Sequence, residues 1–527
     1  MTHYDVVVAG AGPVGLMLGC ELRLGGVARV LVVERLAEVD ETIKAGAINS
    51  PTAIALDRRG LLPALTEVQR QAMDRFREFQ RARGGDGNTP PPPKFAGHFA
   101  GIMLEAGLLD AADPAFADAG PAGDVGLVPQ AALERLLLDR AREAGVELRR
   151  QVELTGFEQD DDGVTVHLAP TDGSAPESVR ADWLAGCDGG RSTVRKLAGF
   201  DFPGTPPEIT GYQAMAGLDG ADGLGGGWTA TDTGMYVHGP VPGRVLTVEF
   251  DGPPADRTTP VTAGELQGSL RRVSGVDVTV TEVRTATRFT DNCRQATDYR
   301  AGRVLLAGDA AHVHSPFGGQ GLNLGIGDAM NLGWKLAAVV GGRAPEGLLD
   351  SYTAERHPTG AWVLDWTRAQ IALMRPESHA RALRAVVTDL TRTTDGTTYL
   401  VKQISGVRQR YDLPGSHPLT GRSAPDLELT DGTRLADHLH GGRGLLLDLA
   451  DDPKLRALAE GYSDRVDVRT AACPGRPDLS GLLVRPDGFT AWCADHDRPG
   501  VARKPEDQEP EHTVTDALER WFGAPAA

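Results

Sequence analysis

The first 34 residues restrict what this chain can fold into more than any other part of it. Residues 4–9 are rich in valine and predict a short buried strand. The run Gly10-Ala11-Gly12-Pro13-Val14-Gly15 follows, and a helix is predicted from there to about residue 24. Residues 29–33 predict a second buried strand, which leads into Glu34. A β-α-β unit of roughly 30 residues with such a loop is typical of a Rossmann-like α/β fold.

This unit predicts a dinucleotide-binding site. Glycines let the backbone approach a pyrophosphate closely, and the start of the helix offers N–H groups and the positive end of its dipole. Glu34 lies 19 residues after Gly15, where a carboxylate can accept hydrogen bonds from both hydroxyls of an adenosine ribose. Its charge disfavours a 2′-phosphate, so FAD or NAD is expected rather than NADP. The predicted contacts of this unit are Gly10, Gly12, Pro13, Gly15, Glu34 and Arg35.

Length and composition exclude several other classes of protein. A chain of 527 residues suggests about three domains. Its 54 basic and 72 acidic residues give a net charge of −18 without a long basic run, so no nucleic-acid partner is expected. No apolar run of about 18 residues occurs, so no membrane-spanning helix is expected. Five scattered cysteines without a CxxC pair predict free thiols, no metal site and a cytoplasmic location.

Two later motifs decide between FAD and NAD. One is Cys187-Asp188-Gly189-Gly190-Arg191-Ser192-Thr193-Val194-Arg195, and the other is Gly308-Asp309-Ala310-Ala311-His312, which Pro316-Phe317-Gly318-Gly319-Gln320-Gly321-Leu322-Asn323 follows. With the first glycine loop, these motifs stand in the order found in the class A flavoprotein aromatic hydroxylases. Over about its first 370 residues the chain resembles this family, which includes para-hydroxybenzoate hydroxylase and phenol hydroxylase.

The resemblance implies non-covalently bound FAD and assigns roles to individual residues. Asp309 would bind the ribitol, Asp188 and Gly189 would lie near the dinucleotide, and Gln130 would lie near the FAD phosphates or ribitol. Many relatives carry an arginine in the loop after the second strand. Here Lys44 is the candidate to replace it, as a point charge rather than a fork, and the alternative is a solvated lysine.

The second glycine loop, which runs from Pro316 to Gly321, leads to a separate expectation. A helix that begins near Leu322 would aim its positive end at reduced flavin, which is anionic. No catalytic side chain is expected, because the chemistry would centre on the flavin. The loop residues predicted beside the flavin are Pro316, Gly318 and Gly319. The remaining predicted cofactor contacts of this region are Gly308, Gly321, Leu322 and Asn323.

The predicted fold is a Rossmann-like FAD-binding domain with an inserted, mostly antiparallel sheet domain and a C-terminal thioredoxin-like α/β domain. The expected bounds are 1–80, 100–200 and 291–370 for the FAD-binding domain, 81–99 and 201–290 for the substrate-binding sheet, 371–412 for a helical linker, and 413–527 for the C-terminal domain. Since that domain has no CxxC, a supporting role is expected for it. The predicted substrate-pocket residues are Tyr212, Met235, Tyr236, Phe250 and Phe317.

The resemblance implies an oxidoreductase of the external monooxygenase type. NAD(P)H would reduce FAD, and O2 would add at flavin C4a to give a hydroperoxide that hydroxylates an aromatic substrate. The three-part architecture resembles hydroxylases of bulky polyketides in antibiotic biosynthesis, so a polycyclic substrate is favoured. Baeyer–Villiger oxygen insertion stays open, as do a flavin-dependent dehydrogenase or reductase and a drug-sequestering flavoprotein. A monomer or a homodimer is expected.

Three further pairs of residues are predicted to have no catalytic role. His312 and His314 have no partner pattern typical of a metal site, so hydrogen bonding near the flavin is expected of them. Arg58-Arg59 and Arg271-Arg272 are expected to be solvated surface charges.

Overall fold

The structure is a computed structural model that describes residues 1–82, 95–239, 241–256, 259–496 and 513–526. Within these residues the α-helices are α1 (Pro13–Leu24), α2 (Ser50–Asp57), α3 (Leu62–Ala82), α4 (Gln130–Glu143), α5 (Thr193–Leu197), α6 (Ala263–Ser274), α7 (Gln320–Val340), α8 (Ser351–Met374), α9 (Ser378–Thr391), α10 (Thr394–Ile404), α11 (Pro453–Ala459) and α12 (Val514–Phe522). Short 3-10 helices cover Ala106–Leu108, Pro114–Asp124, Ala221–Gly223, Gly308–Ala310, Leu435–Leu439 and Glu460–Tyr462.

The strands of the first domain and its inserted sheet are β1 (His3–Ala9), β2 (Val30–Glu34), β3 (Phe95–Phe99), β4 (Ile102–Glu105), β5 (Glu147–Arg150), β6 (Val152–Gln159), β7 (Val164–Pro170), β8 (Glu177–Gly186), β9 (Gly204–Thr205), β10 (Thr210–Asp219), β11 (Gly227–Ala230), β12 (Gly234–His238), β13 (Arg244–Glu249), β14 (Thr279–Phe289), β15 (Cys293–Gln295), β16 (Arg300–Ala301), β17 (Val304–Leu306) and β18 (His312–Val313). The C-terminal strands are β19 (Gly444–Asp448), β20 (Val466–Thr470), β21 (Leu479–Val484) and β22 (Thr490–Asp495).

A largely parallel sheet forms the centre of the first domain. Its strands follow the order β16-β17-β8-β1-β2-β5, and β6 and β7 extend it next to β8. Val6 pairs with Val30 on one side and with Trp183 on the other, both in parallel register. Because β1 has neighbours on both sides and helices such as α1 over it, its valines are fully buried. The predicted Rossmann-like α/β architecture is confirmed.

An antiparallel sheet of order β11-β12-β13-β10-β14 is inserted in this domain. Helix α6 covers one of its faces, where Leu266 and Leu270 pack with Ala214 and Val245. The opposite face packs towards Phe317 of the second glycine loop. Side chains alternate along each strand, so residues two apart share a face and neighbouring residues do not.

The C-terminal domain holds a four-stranded sheet of order β20-β19-β21-β22. Strand β19 is parallel to β20 and antiparallel to β21, and β21 forms a hairpin with β22. This order and these directions are those of a thioredoxin-like core. The hairpin turn contains Arg485-Pro486-Asp487-Gly488.

The prediction that Arg58 and Arg59 are solvated is wrong. Both are buried, at 3% and 4% exposure, where α2 meets the C-terminal domain. Arg58 donates to the carbonyl of Gly488, and Arg59 donates to the carbonyl of Pro486. Arg59 also forms a two-pronged pair with Glu21 of α1, both contacts at 2.7 Å. Nothing in the sequence pattern indicated that a domain interface covers these arginines.

Arg485, in the hairpin turn, joins the C-terminal domain to the first domain. Its guanidinium is fully buried and contacts Glu355 of α8 at 2.7 and 2.9 Å. It also pairs with Asp487 and lies 4.4 Å from the centre of the Trp521 ring. Burial alone would raise the pKa of Glu355, but the charges of Arg485 and Lys335 lower it to about 2. Arg485 and the carboxylate of Glu355 therefore stabilise each other's charge away from water.

We expect Arg485→Met to lower the free energy of unfolding by about 3–5 kcal/mol, because it leaves Glu355 and Asp487 buried with too little positive charge. Urea unfolding of the full chain measures this. Arg70→Met is the matched control, since Arg70 is 59% exposed in its pair with Glu67 and should cost less than about 1 kcal/mol. Equal effects of the two substitutions would contradict the role given to Arg485.

Candidate functional site

The three glycines of the first loop have different roles in the structure. A Cβ added to Gly10 would lie 2.4 Å from the carbonyl oxygen of Cys187, and one added to Gly15 would lie 1.9 Å from the carbonyl oxygen of Gly10. These two positions therefore allow the close packing of the loop against β8 and α1. A Cβ on Gly12 would meet no atom within 4 Å. Gly12 borders an open space before the N-terminus of α1, which Pro13 begins.

Glu34 lies at the end of β2 beside this loop. Its Oε2 accepts a hydrogen bond from the amide of Ala11 at 2.9 Å, and its Oε1 accepts one from the amide of Leu36 at 2.9 Å. The carboxylate thereby holds the glycine loop against the second strand. Each of its oxygens can still accept a further hydrogen bond. Arg35, the next residue, is exposed.

Lys44 and Gln130 lie in neighbouring segments. The amide of Gln130, at the start of α4, donates to the carbonyl of Ala45 at 2.9 Å. The Nζ of Lys44 lies 2.8 Å from a carboxylate oxygen of Asp40, and the lysine side chain is 40% exposed. In the structure Lys44 thus has a protein partner and keeps access to solvent.

Glu134, one turn after Gln130 on α4, was not predicted from the sequence. It is buried, at 6% exposure, and burial raises its pKa to about 7. The charges of Lys44 and Arg150 oppose this increase, and that of Glu34 adds to it. A carboxylate on the apolar side of an amphipathic helix was the available signal.

Asp188 stabilises the turn after β8. Its carboxylate accepts hydrogen bonds from the hydroxyl of Ser192 at 2.5 Å and from the amides of Thr193 and Val194 at 2.7 and 3.1 Å. The carboxylate that the resemblance places near the dinucleotide therefore holds the first turn of α5. Gly189 follows it in the same turn.

Arg195 connects this turn to the Gly308–Ala310 segment. Its guanidinium donates to the carbonyls of Ala310 and Gly190, each at 2.9 Å, and lies 3.8 Å from the centre of the Phe202 ring. The two later sequence motifs thus form one hydrogen-bonded unit.

Asp328, on α7, holds the Gly308–Ala310 segment in place through hydrogen bonds. It is fully buried, and its Oδ2 accepts hydrogen bonds from the amide of Gly308 at 2.9 Å and from Nε2 of His312 at 2.7 Å. Its Oδ1 accepts from Nε of Arg356 at 2.8 Å. His312 is therefore structural, as expected, whereas Asp328 lies in no motif that the sequence offered.

Asp309 differs from these buried acids because it is exposed. No donor among the described parts of the chain hydrogen-bonds to its carboxylate. A Cβ on Gly321, in the first turn of α7, would lie 3.8 Å from its Oδ1 and 3.5 Å from Nε2 of His314. An exposed carboxylate beside a helix start is suited to hold polyol hydroxyls such as those of ribitol.

The second glycine loop turns directly into α7. Gly318 and Gly319 have φ angles of +83° and +63°, a backbone conformation that favours glycine. Pro316 and Gly319 are exposed, and α7 begins at Gln320, two residues before the predicted start at Leu322. Asn323 donates to the carbonyl of Gly319 at 2.8 Å and accepts from the amide of Asn49 at 2.9 Å, which fixes the helix start.

The two helix starts meet around Val14, in the first turn of α1. A Cβ on Gly308 would lie 3.1 Å from Val14, and one on Gly325 of α7 would lie 2.5 Å from it. The arrangement offers an open space at Gly12, a free carboxylate at Asp309 and two helix N-termini that favour negative charge. These features fit FAD, with its pyrophosphate at α1 and its flavin beside α7.

The structure divides the five predicted substrate-pocket residues between the two faces of the inserted sheet. Met235, Phe250 and Phe317 lie together in one cluster on the face of the inserted sheet that meets the second glycine loop. Tyr212 and Tyr236 lie on the opposite face, packed with α6. The hydroxyl of Tyr212 donates to Glu265 of α6 at 2.8 Å, and that of Tyr236 accepts from the amide of Gly225. Strand alternation therefore removes both tyrosines from the pocket side.

Other aromatic residues surround Phe317 instead. Its ring centre lies 5.9 Å from that of Trp228 on β11 and 5.7 Å from that of Phe289 on β14. Trp228 and Phe289 are half-buried, so this surface stays accessible. The alternation of β14 was the signal that could have identified Phe289.

A separate cavity of about 520 Å³ lies on the other side of Asn323, away from Phe317. It is bounded by α2, α7, α8 and the start of the C-terminal domain. Its lining includes Ile54, Met330, Trp362, Arg422 and Phe489. Gln320 and Asn323, at the start of α7, also line it, whereas Phe317 does not.

Fold and site together define a flavoprotein of the FAD-binding α/β class. Comparison with known families agrees, since residues 3–367 match the FAD-binding-domain family and residues 417–525 match the family described as aromatic-ring hydroxylase, C-terminal. The chain is 42% identical over 550 residues to a 12-dehydrotetracycline 5-monooxygenase/anhydrotetracycline 6-monooxygenase from Streptomyces rimosus, covering 99% of this chain and 100% of the relative.

Two further similarities extend over nearly the whole chain. A rifampicin monooxygenase from Streptomyces venezuelae is 41% identical, covering 99% of this chain and 100% of the relative. The solved structure of an anhydrotetracycline hydroxylase from Streptomyces rimosus aligns with a TM-score of 0.83 at 42% identity, covering 100% of both chains. The chain belongs to the family of FAD-dependent aromatic-ring hydroxylases. The predicted cofactor FAD and the predicted monooxygenase activity are thereby confirmed, with NAD(P)H and O2 as the co-substrates usual in this class.

Two features are absent from the described residues. No helix there combines the length and the apolar character needed to cross a bilayer. No cluster of three or more histidine, cysteine or acidic side chains there could hold a metal ion.

We expect Gly12→Val to give a folded protein whose FAD affinity is at least about tenfold lower, because the new side chain enters the open space before α1. Flavin absorbance after purification and reconstitution with FAD measures this. Gly15→Ala is the contrasting variant and should not fold, since its Cβ would overlap the carbonyl of Gly10. A Gly12→Val protein with wild-type flavin content would refute the position given to the pyrophosphate.

Glu134 should make stability depend on pH. Its pKa rises from 4.5 to about 7 on folding, so its contribution is complete below about pH 4.5 and is lost as the pH rises through 7. We expect this group to lower the free energy of unfolding by on the order of 3 kcal/mol between pH 4.5 and pH 8. Glu134→Gln should remove that decrease, measured by urea unfolding at both pH values. Glu143→Gln, on the exposed side of the same helix at 70% exposure, should keep it.

Proposed function

We propose that this flavoprotein hydroxylates a polycyclic aromatic compound of the polyketide type, with NAD(P)H as electron donor. One observation carries the proposal: the face of the inserted sheet that meets the second glycine loop is lined by Trp228, Phe289, Met235 and Phe317. An accessible aromatic surface next to the flavin position suits a flat, apolar substrate. Relatives that act on tetracycline-type compounds and on rifampicin support a large substrate.

The chain's own residues position and protect the reacting groups. The N-terminus of α7 would lie beside the reduced flavin and would stabilise its negative charge without a buried lysine. Phe317 and its aromatic neighbours keep the region between sheet and loop apolar, which excludes water. FAD, once reduced, supplies the transfer of one oxygen atom from O2.

We assign Asn323 and Asp328 a positioning role and no part in the reaction. They hold the second glycine loop and the Gly308–Ala310 segment, which together form the cofactor cradle. Asn323 holds the loop carbonyl of Gly319, and Asp328 holds the amide of Gly308. We further propose that Asp309, Glu34 and Gly12 contact the ribitol, the adenosine ribose and the pyrophosphate. The exposure of Asp309, the partial exposure of Glu34 and the open space at Gly12 support these three assignments.

A cytoplasmic location belongs to the same proposal. All five cysteines are free, which suits a reducing compartment that also supplies NAD(P)H. Whether the protein is a monomer or a homodimer stays a prediction, and sedimentation of the purified protein would determine it.

We expect purified holoenzyme to oxidise NADH or NADPH faster when anhydrotetracycline or rifampicin is added, with matching O2 uptake. Under ¹⁸O2, mass spectrometry should show one labelled oxygen in the product. A labelled hydroxyl on an aromatic ring supports hydroxylation, whereas a labelled ring oxygen in a lactone indicates Baeyer–Villiger insertion.

The flavin-poor Gly12→Val protein serves as control and should not accelerate either reaction. NAD(P)H oxidation that gives product without label would show a dehydrogenase or reductase. Tight binding of the compounds without turnover would show a sequestering protein. Either of these two results overturns the proposal.

A further inference from the structure

The substrate-facing side of the inserted sheet has an apolar end and a polar end. The apolar end lies at the second glycine loop, where Phe289, Gly211, Val248 and Met235 form one row across four strands. Four residues away along β14, Thr285 lies opposite Met215, which lies opposite Arg244. The two rows are about 13 Å apart, at about 3.3 Å per strand residue.

Arg244 is a partly desolvated cation without an acidic partner. Its Nε is buried and has no hydrogen-bond acceptor among the described residues. No carboxylate oxygen of the described chain lies within 4 Å of its guanidinium, although the protein has a net charge of −18. Burial lowers its pKa. Since an unpaired buried charge is unfavourable, this position lacks an anion that the folded chain does not supply.

Thr285 adds a second unpaired polar atom to the same row. Its Oγ1 is buried and has no partner within the described chain. Thr285 and Arg244 are separated by one strand, so their Cα atoms are about 10 Å apart and both side chains point to the same face. Such a hydroxyl and guanidinium can reach one ligand that lies over Met215.

His98 faces this end from the β3–β4 hairpin. Its ring centre lies 4.8 Å from that of Trp228, and its Nδ1 accepts a hydrogen bond from the amide of Gly101 at 3.3 Å. Burial, and next the charge of Arg244, lower its pKa to about 4. The imidazole is therefore neutral at pH 7, and the bond to Gly101 leaves its proton on Nε2 as a donor.

We propose that Arg244, Thr285 and His98 bind a delocalised oxyanion of the substrate, such as an ionised enol, an ionised phenol or a carboxylate. The inference rests on the proposed function and adds the orientation of the substrate to it. With the oxyanion at Arg244, the opposite end of a fused polycyclic molecule reaches the glycine loop at Phe317. A single aromatic ring does not span the two rows. Arg244 is thus a residue that determines specificity and the position of oxygenation.

The test measures binding to FAD-loaded protein through the change in flavin absorbance. The probes are anhydrotetracycline and the pair 1-naphthoate and methyl 1-naphthoate, which differ in charge. Wild-type protein should bind the carboxylate at least about tenfold more tightly than the ester. Arg244→Met should remove this preference and raise the Kd for anhydrotetracycline at least about tenfold, whereas Arg244→Lys should recover part of both.

Stability separates a binding role from a structural role. Arg244→Met removes an unpaired charge, so its midpoint of thermal unfolding should equal or exceed that of wild type. Thr285→Val should raise the Kd for anhydrotetracycline about threefold to tenfold with unchanged flavin content. Arg422→Met, beside the cavity behind α7, is the matched control and should leave every Kd unchanged.

Each result has a defined meaning. If wild type oxygenates anhydrotetracycline and Arg244→Met binds it equally well, the oxyanion site is refuted while the proposed function stands. If Arg422→Met weakens binding instead, the substrate occupies the other cavity and the inference is again refuted. If wild type neither binds nor oxygenates any polycyclic probe, the proposed function fails and the inference fails with it.

Discussion

The buried carboxylate of Asp328 is the group on which the rest of the site depends. One side chain accepts hydrogen bonds from the amide of Gly308, the ring of His312 and the guanidinium of Arg356. Burial alone would raise its pKa, yet the charge of Arg356 and the contact with His312 lower it, so Asp328 stays ionised. Because Asp328 is on α7, its carboxylate joins the segment that presents Asp309 to the helix for which we propose contact with the flavin. The carboxylate of Asp328 therefore determines both the position of the cofactor cradle and part of its charge.

Arg356 extends this network into the C-terminal domain. It donates to the hydroxyl of Tyr411, whose ring stacks on Phe489 next to the hairpin turn at a centre distance of 4.1 Å. Arg485 adds the ion pair with Glu355 one residue before Arg356. The thioredoxin-like domain thus packs against α2 and α8 of the first domain. Such buried pairs contribute little net stability compared with apolar packing, but a single missing partner is costly, so they specify one way of docking.

The two faces of the inserted sheet show how the same strands serve folding and binding. On one face, Tyr212 and Tyr236 are buried with their hydroxyls satisfied, and they pack with α6. On the other face, Phe289 and Trp228 remain half-buried, and polar atoms of Arg244 and Thr285 lack protein partners. If this face served only to pack the folded chain, its buried polar atoms would have hydrogen-bond partners. The difference indicates which side was shaped for a ligand.

Local pattern was enough to determine the β-α-β start and the glycine loops, because each depends on residues close together in the chain. FAD was implied by the resemblance that three separate motifs carry. The role of Gly12, as distinct from Gly10 and Gly15, could not be read locally, since it depends on what lies opposite each Cβ. The burial of Arg58 and Arg59, the hub at Asp328 and the exclusion of Tyr212 from the pocket were likewise decided by tertiary structure. Charge and aromaticity are properties of one residue, but burial, partners and the face of a sheet depend on residues hundreds of positions away, and only the folded chain brings those together.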